Sequence, residues 1–198
     1  MFPLGAPLLP NTGVPLHVFE DRYREMVADC MEGDRRFGVV LIERGSEVGG
    51  GDVRCDVGTM AEIGDAAHLS DGRWVIIAIG TGRIRVVEWL PDDPYPLAVV
   101  EDVDDTGASA GPQVRDRIEA LVHRTSALLT ELGEAAPPID TPLAPDPLAA
   151  AHQAIALLPV AALDAQRVLE TDDPDQRIDL VLTVLADLTD LLEMRLQG

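Results

Sequence analysis

The sequence predicts an α+β chain: a mostly antiparallel β-barrel with one inserted helix, followed by a C-terminal helical bundle. Three observations predict it. Before about residue 105, short apolar runs alternate with Gly and Asp turns; after it, apolar residues recur at helical spacing. One helical stripe interrupts the first half, with Tyr23, Met26, Val27, Cys30 and Met31 on a single face. The 198 residues, 46% of them apolar, suffice for one domain or two small ones. The change of character divides them into 1–104 and 105–198.

Phe2-Pro3-Leu4 and Val14-Pro15-Leu16-His17-Val18-Phe19 read as extended segments, and their prolines place them at edges or bulges. The helix of Tyr23 to Met31 follows, opened by Glu20 and Asp21 and closed by Gly33. Phe37 to Ile42 is a buried strand, and Ser46 to Asp52, with Gly49-Gly50-Gly51, a flexible loop. Cys55 to Leu69 is a long strand bent at Gly58 and Gly64. Asp71-Gly72 turns the chain into Trp74–Ile79 and Ile84–Leu90, which Gly80-Thr81-Gly82 separates. Asp92-Asp93-Pro94 turns it again, and Tyr95 to Val103 completes the sheet.

Residues 104–111 are a small, polar linker. Pro112 opens a helix whose stripe holds Val114, Ile118, Leu121, Val122, Leu128, Leu129 and Leu132, and Gly133 ends it. Residues 134–147 carry five prolines and read as an irregular, mobile loop. Leu148–Leu158 and Leu163–Glu170 are short helices. Asp173-Pro174-Asp175-Gln176 starts the last one, which runs to about Leu196 with Ile178, Val181, Leu182, Leu185, Leu188 and Leu192 facing a core.

Charge narrows the function. The 35 acids and 15 bases give −20, which opposes nucleic-acid phosphates and anionic membranes alike. Every base is Arg, and Lys is absent. That removes the Walker A loop, the Ser–Lys dyad and the Schiff-base lysine. Cys30 and Cys55 fit no zinc spacing and read as small core residues of a reduced, cytoplasmic protein. Residues 1–19 contain four prolines and no basic flank, so no signal peptide is expected; Pro159 interrupts the uncharged stretch 147–163, so no membrane span is expected.

Phe2-Pro3-Leu4, Leu9-Pro10 and the run Pro15-Leu16-His17-Val18-Phe19-Glu20-Asp21-Arg22-Tyr23-Arg24-Glu25-Met26 resemble the opening of the Lon protease N-terminal (substrate-binding) domain family. Gly33 to Val40, Val57-Gly58-Thr59-Met60-Ala61, Gly80-Thr81-Gly82-Arg83-Ile84-Arg85-Val86, Tyr95 through Glu101, Leu158-Pro159 and Gln166 to Glu170 resemble later parts of it, in order. The resemblance implies a PUA-like pseudo-barrel, then a helical bundle, and a role in protein or peptide recognition. A Lon protease adds an ATPase and a Ser–Lys peptidase. A chain ending at Gly198 without Lys is expected to be neither, but a stand-alone substrate-binding-domain protein.

Side-chain clusters give chemistry little purchase. His17 and Glu20 lack a third metal ligand; His17 is expected half-buried at a strand end, with Glu20 capping the helix or pairing with Arg22 or Arg24. Arg83 and Arg85 share a strand face, for salt bridges or a carboxylate-binding patch. No Gly-x-Ser-x-Gly elbow exists and the four His are scattered, so no catalytic, cofactor or metal residue is assigned. The apolar, proline-interrupted start is the candidate working surface, with Leu9, Val14, Phe19 and Arg22 as peptide-binding residues; the competing reading makes these apolar groups core. The function expected is non-catalytic recognition of unfolded or extended apolar segments, in the cytoplasm and within a Lon-type protease system. Open alternatives are a small-molecule binder or hydrolase with a pocket between barrel and bundle, and a regulatory subunit of one fixed partner. A homodimer is also open.

Overall fold

A computed structural model describes residues 1–45, 51–105 and 108–197. The chain divides into two compact units, Met1–Asp104 and Asp105–Gly198. Most of the loop expected at Ser46 to Asp52, and part of the linker at 104–111, lie outside the described residues.

The first unit holds β1 (Phe2–Leu4), β2 (Gly13–Val18), α1 (Asp21–Glu32), β3 (Arg36–Arg44), β4 (Val53–His68), β5 (Trp74–Leu90) and β6 (Leu97–Val103). They form one six-stranded sheet in the order β1-β3-β4-β5-β2, with β6 also on β5. Only the β1·β3 pairing is parallel. The described pairing leaves β1, β2 and β6 with one partner each and does not itself close the expected barrel into a ring. Both proline-bearing strands are therefore edges, where a missing N–H costs no ladder bond.

Gly80-Thr81-Gly82 does not end a strand; β5 runs through it for 17 residues. The triplet marks a change of partner, from β2 at Trp74–Ile79 to β6 at Arg83–Leu90. A Cβ on Gly80 would stand 2.4 Å from the Leu9 carbonyl oxygen, so glycine serves close backbone approach there. Register shifts in β4 fall beside Gly58 and at Gly64, as bends there require. Tyr23, Met26 and Val27 of α1 pack with Phe2, Leu16, Val18, Phe37, Ile63 and Ile76 into the core of this unit. Cys30 and Cys55 are half-buried rather than buried, and Cys30 packs against this core. The Cys30 thiol donates to the Arg36 carbonyl at 3.3 Å, and burial raises its pKa.

The second unit holds α2 (Pro112–Glu131), α3 (Pro147–Leu157), α4 (Ala162–Glu170) and α5 (Pro174–Gln197). Their starts follow local chemistry. Asp146 accepts from the Ala149 N–H at 2.8 Å and Asp173 from the Gln176 N–H at 2.9 Å, each immediately before a proline. Gly133, at φ +73°, follows the end of α2. The helical stripes also bury polar residues. Thr125 and Thr189 share a hydrogen bond of 2.9 Å between α2 and α5. Arg177, fully buried, pairs with Asp105 at 3.0 Å and donates to the Thr171 carbonyl.

Residues 134–146 are irregular, but their last part is tied down: Leu143 is buried and Arg115 donates to the Ala144 carbonyl. Ser109 and Ala110 are tied too, since Asp175 accepts from their N–H groups. No helix among the described residues is long and apolar enough to cross a membrane.

Candidate functional site

The alternation of β2 builds the site. Leu16 and Val18 point into the core, while Pro15, His17 and Phe19 are exposed. Phe19 leaves the strand just before Glu20 and α1, and 56% of it remains exposed. Phe2 and Leu4 of β1, Pro15–Val18, Phe19, Glu20 and Tyr23 line a cleft of about 150 Å³. β1 and β2, two of the edge strands, thus face one apolar depression.

Aromatic packing shapes its wall. The rings of Phe2 and Tyr23 stack at 4.4 Å, and the Arg22 guanidinium lies 4.4 Å from the Tyr23 ring centre. Glu20 holds Arg22 there through a 3.2 Å ion pair. Burial pushes the Tyr23 hydroxyl up to about 12, so it stays neutral at physiological pH.

The four sequence-selected residues separate. Phe19 and Arg22 sit at the cleft, one as its rim and the other holding its wall. Val14 is half-buried and packs against the core of the unit. Leu9 is 2% exposed and cannot meet a client in this conformation. The reason is a local turn: Thr12 donates to the Leu9 carbonyl through its hydroxyl at 2.7 Å, and the neighbouring backbone closes on Gly80. His17 is exposed rather than half-buried. Glu20 makes no side-chain cap bond and pairs with Arg22, while Arg24 pairs with Asp21 at 2.9 Å. Arg83 is buried, and Arg85 reaches Glu101 across the β5–β6 ladder at 3.9 Å, so the two do not form one exposed patch. Among the described residues no group of three His, Cys, Asp or Glu is placed to hold a metal ion.

Sequence reasoning missed two contributions. Phe2 and Tyr23, read simply as strand and core, also line the cleft. Ile77 and Ile79, read simply as strand, are 38% and 42% exposed on the face of β5, opposite Pro15 and Gly13 of β2. Their signal was present: Val75-Ile76-Ile77-Ala78-Ile79 is apolar on both faces of one strand.

With this geometry in view, the family model of the ATP-dependent protease La (LON) substrate-binding domain matches residues 1–187. The chain belongs to the LON substrate-binding domain family. It is 27% identical to the LON peptidase N-terminal domain and RING finger protein C14F5.10c of Schizosaccharomyces pombe, over 93% of this chain and 44% of that protein. It is 28% identical to Lon protease 2 of Myxococcus xanthus, over 96% of this chain and 23% of that one. This LON domain therefore spans less than half the length of the curated relatives it matches. Among solved structures it resembles the Lon N-terminal domain protein from Xanthomonas campestris, with a TM-score of 0.66 and 27% identity over 92% of this chain and 95% of that one. The N-terminal domain of the Mycobacterium avium complex Lon protease shares the fold, with a TM-score of 0.59 and 20% identity over 93% and 97% of the two chains. Membership supports a substrate-binding role.

Proposed function

We propose that this LON domain is a non-catalytic module that recognises exposed apolar or extended segments of other proteins at the Phe19 cleft. It acts in the cytoplasm, within a Lon-type protease system. The observation that carries this reading is Phe19, more than half exposed on the rim of an apolar cleft in a substrate-binding-domain family. Exposing a large aromatic ring to water is unfavourable by about 25 cal/mol per Å², which a client's apolar side chain relieves. Val14 supports the strand behind the rim, and Arg22, stacked on Tyr23, fixes its wall.

Charge selects among clients. The net −20 favours basic over acidic segments and speeds their association at low salt. Apolar contact supplies the affinity, and one shallow cleft corresponds to micromolar binding, about −8 kcal/mol. With no Lys to serve a Walker A loop or a Ser–Lys dyad, the chain itself neither hydrolyses ATP nor cuts peptides by those chemistries.

The test is a titration with labelled peptides, comparing basic-apolar with acidic-polar sequences on wild type and Phe19→Asp. Phe19 is a surface residue, so the variant keeps its unfolding free energy in urea within about 0.5 kcal/mol of wild type. It is expected to weaken basic-apolar binding by about tenfold, the effect of about 1.4 kcal/mol. Equal binding of both peptide classes removes the client reading. Preferential binding that Phe19→Asp leaves intact moves the surface elsewhere.

A further inference from the structure

We propose that a client is held as an added β-strand along the outer edge of β2, with one apolar side chain in the cleft; this rests on the client-binding reading above. The phase of β2 comes from its entry. Gly80 N–H donates to the Thr12 carbonyl and Asn11 N–H to the Gly80 carbonyl, so the carbonyl of Thr12 faces β5 while its N–H turns back to Leu9. In an antiparallel ladder such residues recur at every second position. Val14, Leu16 and Val18 then bond to β5, while Gly13, Pro15 and His17 turn their backbone groups outward. Pro15, which lacks an N–H, falls in the outward set, where it disturbs no ladder bond. The outward row offers two N–H donors and three carbonyl acceptors, and all three residues are exposed.

Pro15 removes one donor from this edge, but charge, the other common protection, is missing. No Asp, Glu or Arg occurs from Met1 through Phe19, whereas edges that avoid pairing carry charges or bulges. The cleft sets what the added strand must carry. About 150 Å³ is the size of a cavity that holds one benzene ring, so it takes one Leu, Ile or Phe side chain. Side chains of an added strand alternate between the two faces of the sheet. One set meets the cleft between the β1 and β2 edges. The other continues the surface of Pro15, Ile77 and Ile79, which is also apolar. The matching client is therefore an extended run apolar at consecutive positions, the type that folded proteins bury as a central strand. The net charge of −20 favours basic residues flanking that run. The same net charge of −20 sets a second copy of this chain against itself as occupant.

The experiment uses the full chain and a synthetic peptide of valine, leucine and isoleucine flanked by arginines. Two N-methylated versions carry methyl groups on alternate amides, in opposite phases. Binding is read by fluorescence anisotropy, and the His17 amide by hydrogen exchange. Pairing predicts that one phase loses about tenfold or more, as its backbone hydrogen bonds are blocked, while the other stays within about twofold. It also predicts slower exchange at His17 when the unmodified peptide is bound. Equal effects of the two phases, or no protection of His17, overturn the strand pairing while client binding stands. No binding of the unmodified peptide ends both. A peptide-free dimer in sedimentation, with the His17 amide already protected, gives the edge to a second copy and also overturns the proposal.

Discussion

Replacing Gly80 by alanine tests whether the entry to the candidate site is built as described. The added Cβ would stand 2.4 Å from the Leu9 carbonyl oxygen and 3.0 Å from Thr59 Cγ2. Neither neighbour can retreat cheaply. The Leu9 carbonyl accepts from the Thr12 hydroxyl at 2.7 Å, the Leu8 carbonyl accepts from the Thr59 hydroxyl at 2.5 Å, and Gly80 itself exchanges 2.9 Å bonds with Asn11 and Thr12. Overpacking of this kind costs about 1–3 kcal/mol, and a lost backbone hydrogen bond adds about 1 kcal/mol, for about 2–4 kcal/mol in all. For a unit of this size that lowers Tm by roughly 10–20 °C. Gly82→Ala is the control. Nothing lies within 4 Å of its Cβ position, so it should stay within about 0.5 kcal/mol of wild type. Both tryptophans, Trp74 and Trp89, lie on β5, so their fluorescence during urea unfolding reports the first unit alone. Equal midpoints for the two variants, or a loss below about 0.5 kcal/mol for Gly80→Ala, would refute the packing argument.

Three further expectations follow from the same contacts. The two tyrosines have pKa values raised from 10.0 to about 12, Tyr23 by burial and Tyr95 mainly through its hydrogen bond to Asp29. The folded state then keeps protons that the unfolded chain loses, so their stabilisation is complete below pH 10 and fades as pH rises through 12; tyrosinate absorbance rising near pH 10 in native protein would contradict this. Arg177→Ala should cost about 3–5 kcal/mol, because it strands Asp105 and the Thr171 carbonyl; helical circular dichroism reads it, and a loss under about 1 kcal/mol would count against a buried pair. Limited proteolysis should cut first within 134–141, ahead of Leu143 and Ala144, which α2 and α3 hold; first cleavage within β4 or β5 would contradict the packing described. Recovery of folded fragments ending near Asp104 would further support the proposal that 1–104 and 105–198 fold as separate domains.

The helices were legible because each carries its own punctuation. Pro112 and Gly133 bracket α2, Asp146-Pro147 opens α3, and Asp173-Pro174 opens α5; all act through neighbours a few residues away. The errors have the opposite origin. Gly80-Thr81-Gly82 reads locally as the end of a strand, yet Gly80 exists for the Leu9 carbonyl, a neighbour only in space. Leu9 reads locally as part of an exposed apolar surface, yet it is 2% exposed.

The candidate site divides along the same line. Leu9 and Phe19 are both large, apolar and set among prolines, and composition cannot rank them. Pairing separates them. Once Thr12 is locked to Gly80, the alternation of β2 is fixed, and Leu16 and Val18 must point inward. Phe19, odd-numbered like Pro15 and His17, then has to emerge on the outer side, while Leu9 lies before the turn and is buried. A single register contact therefore decides which hydrophobic residue is core and which remains to meet a partner, and it also turns the backbone of Gly13, Pro15 and His17 toward whatever chain arrives.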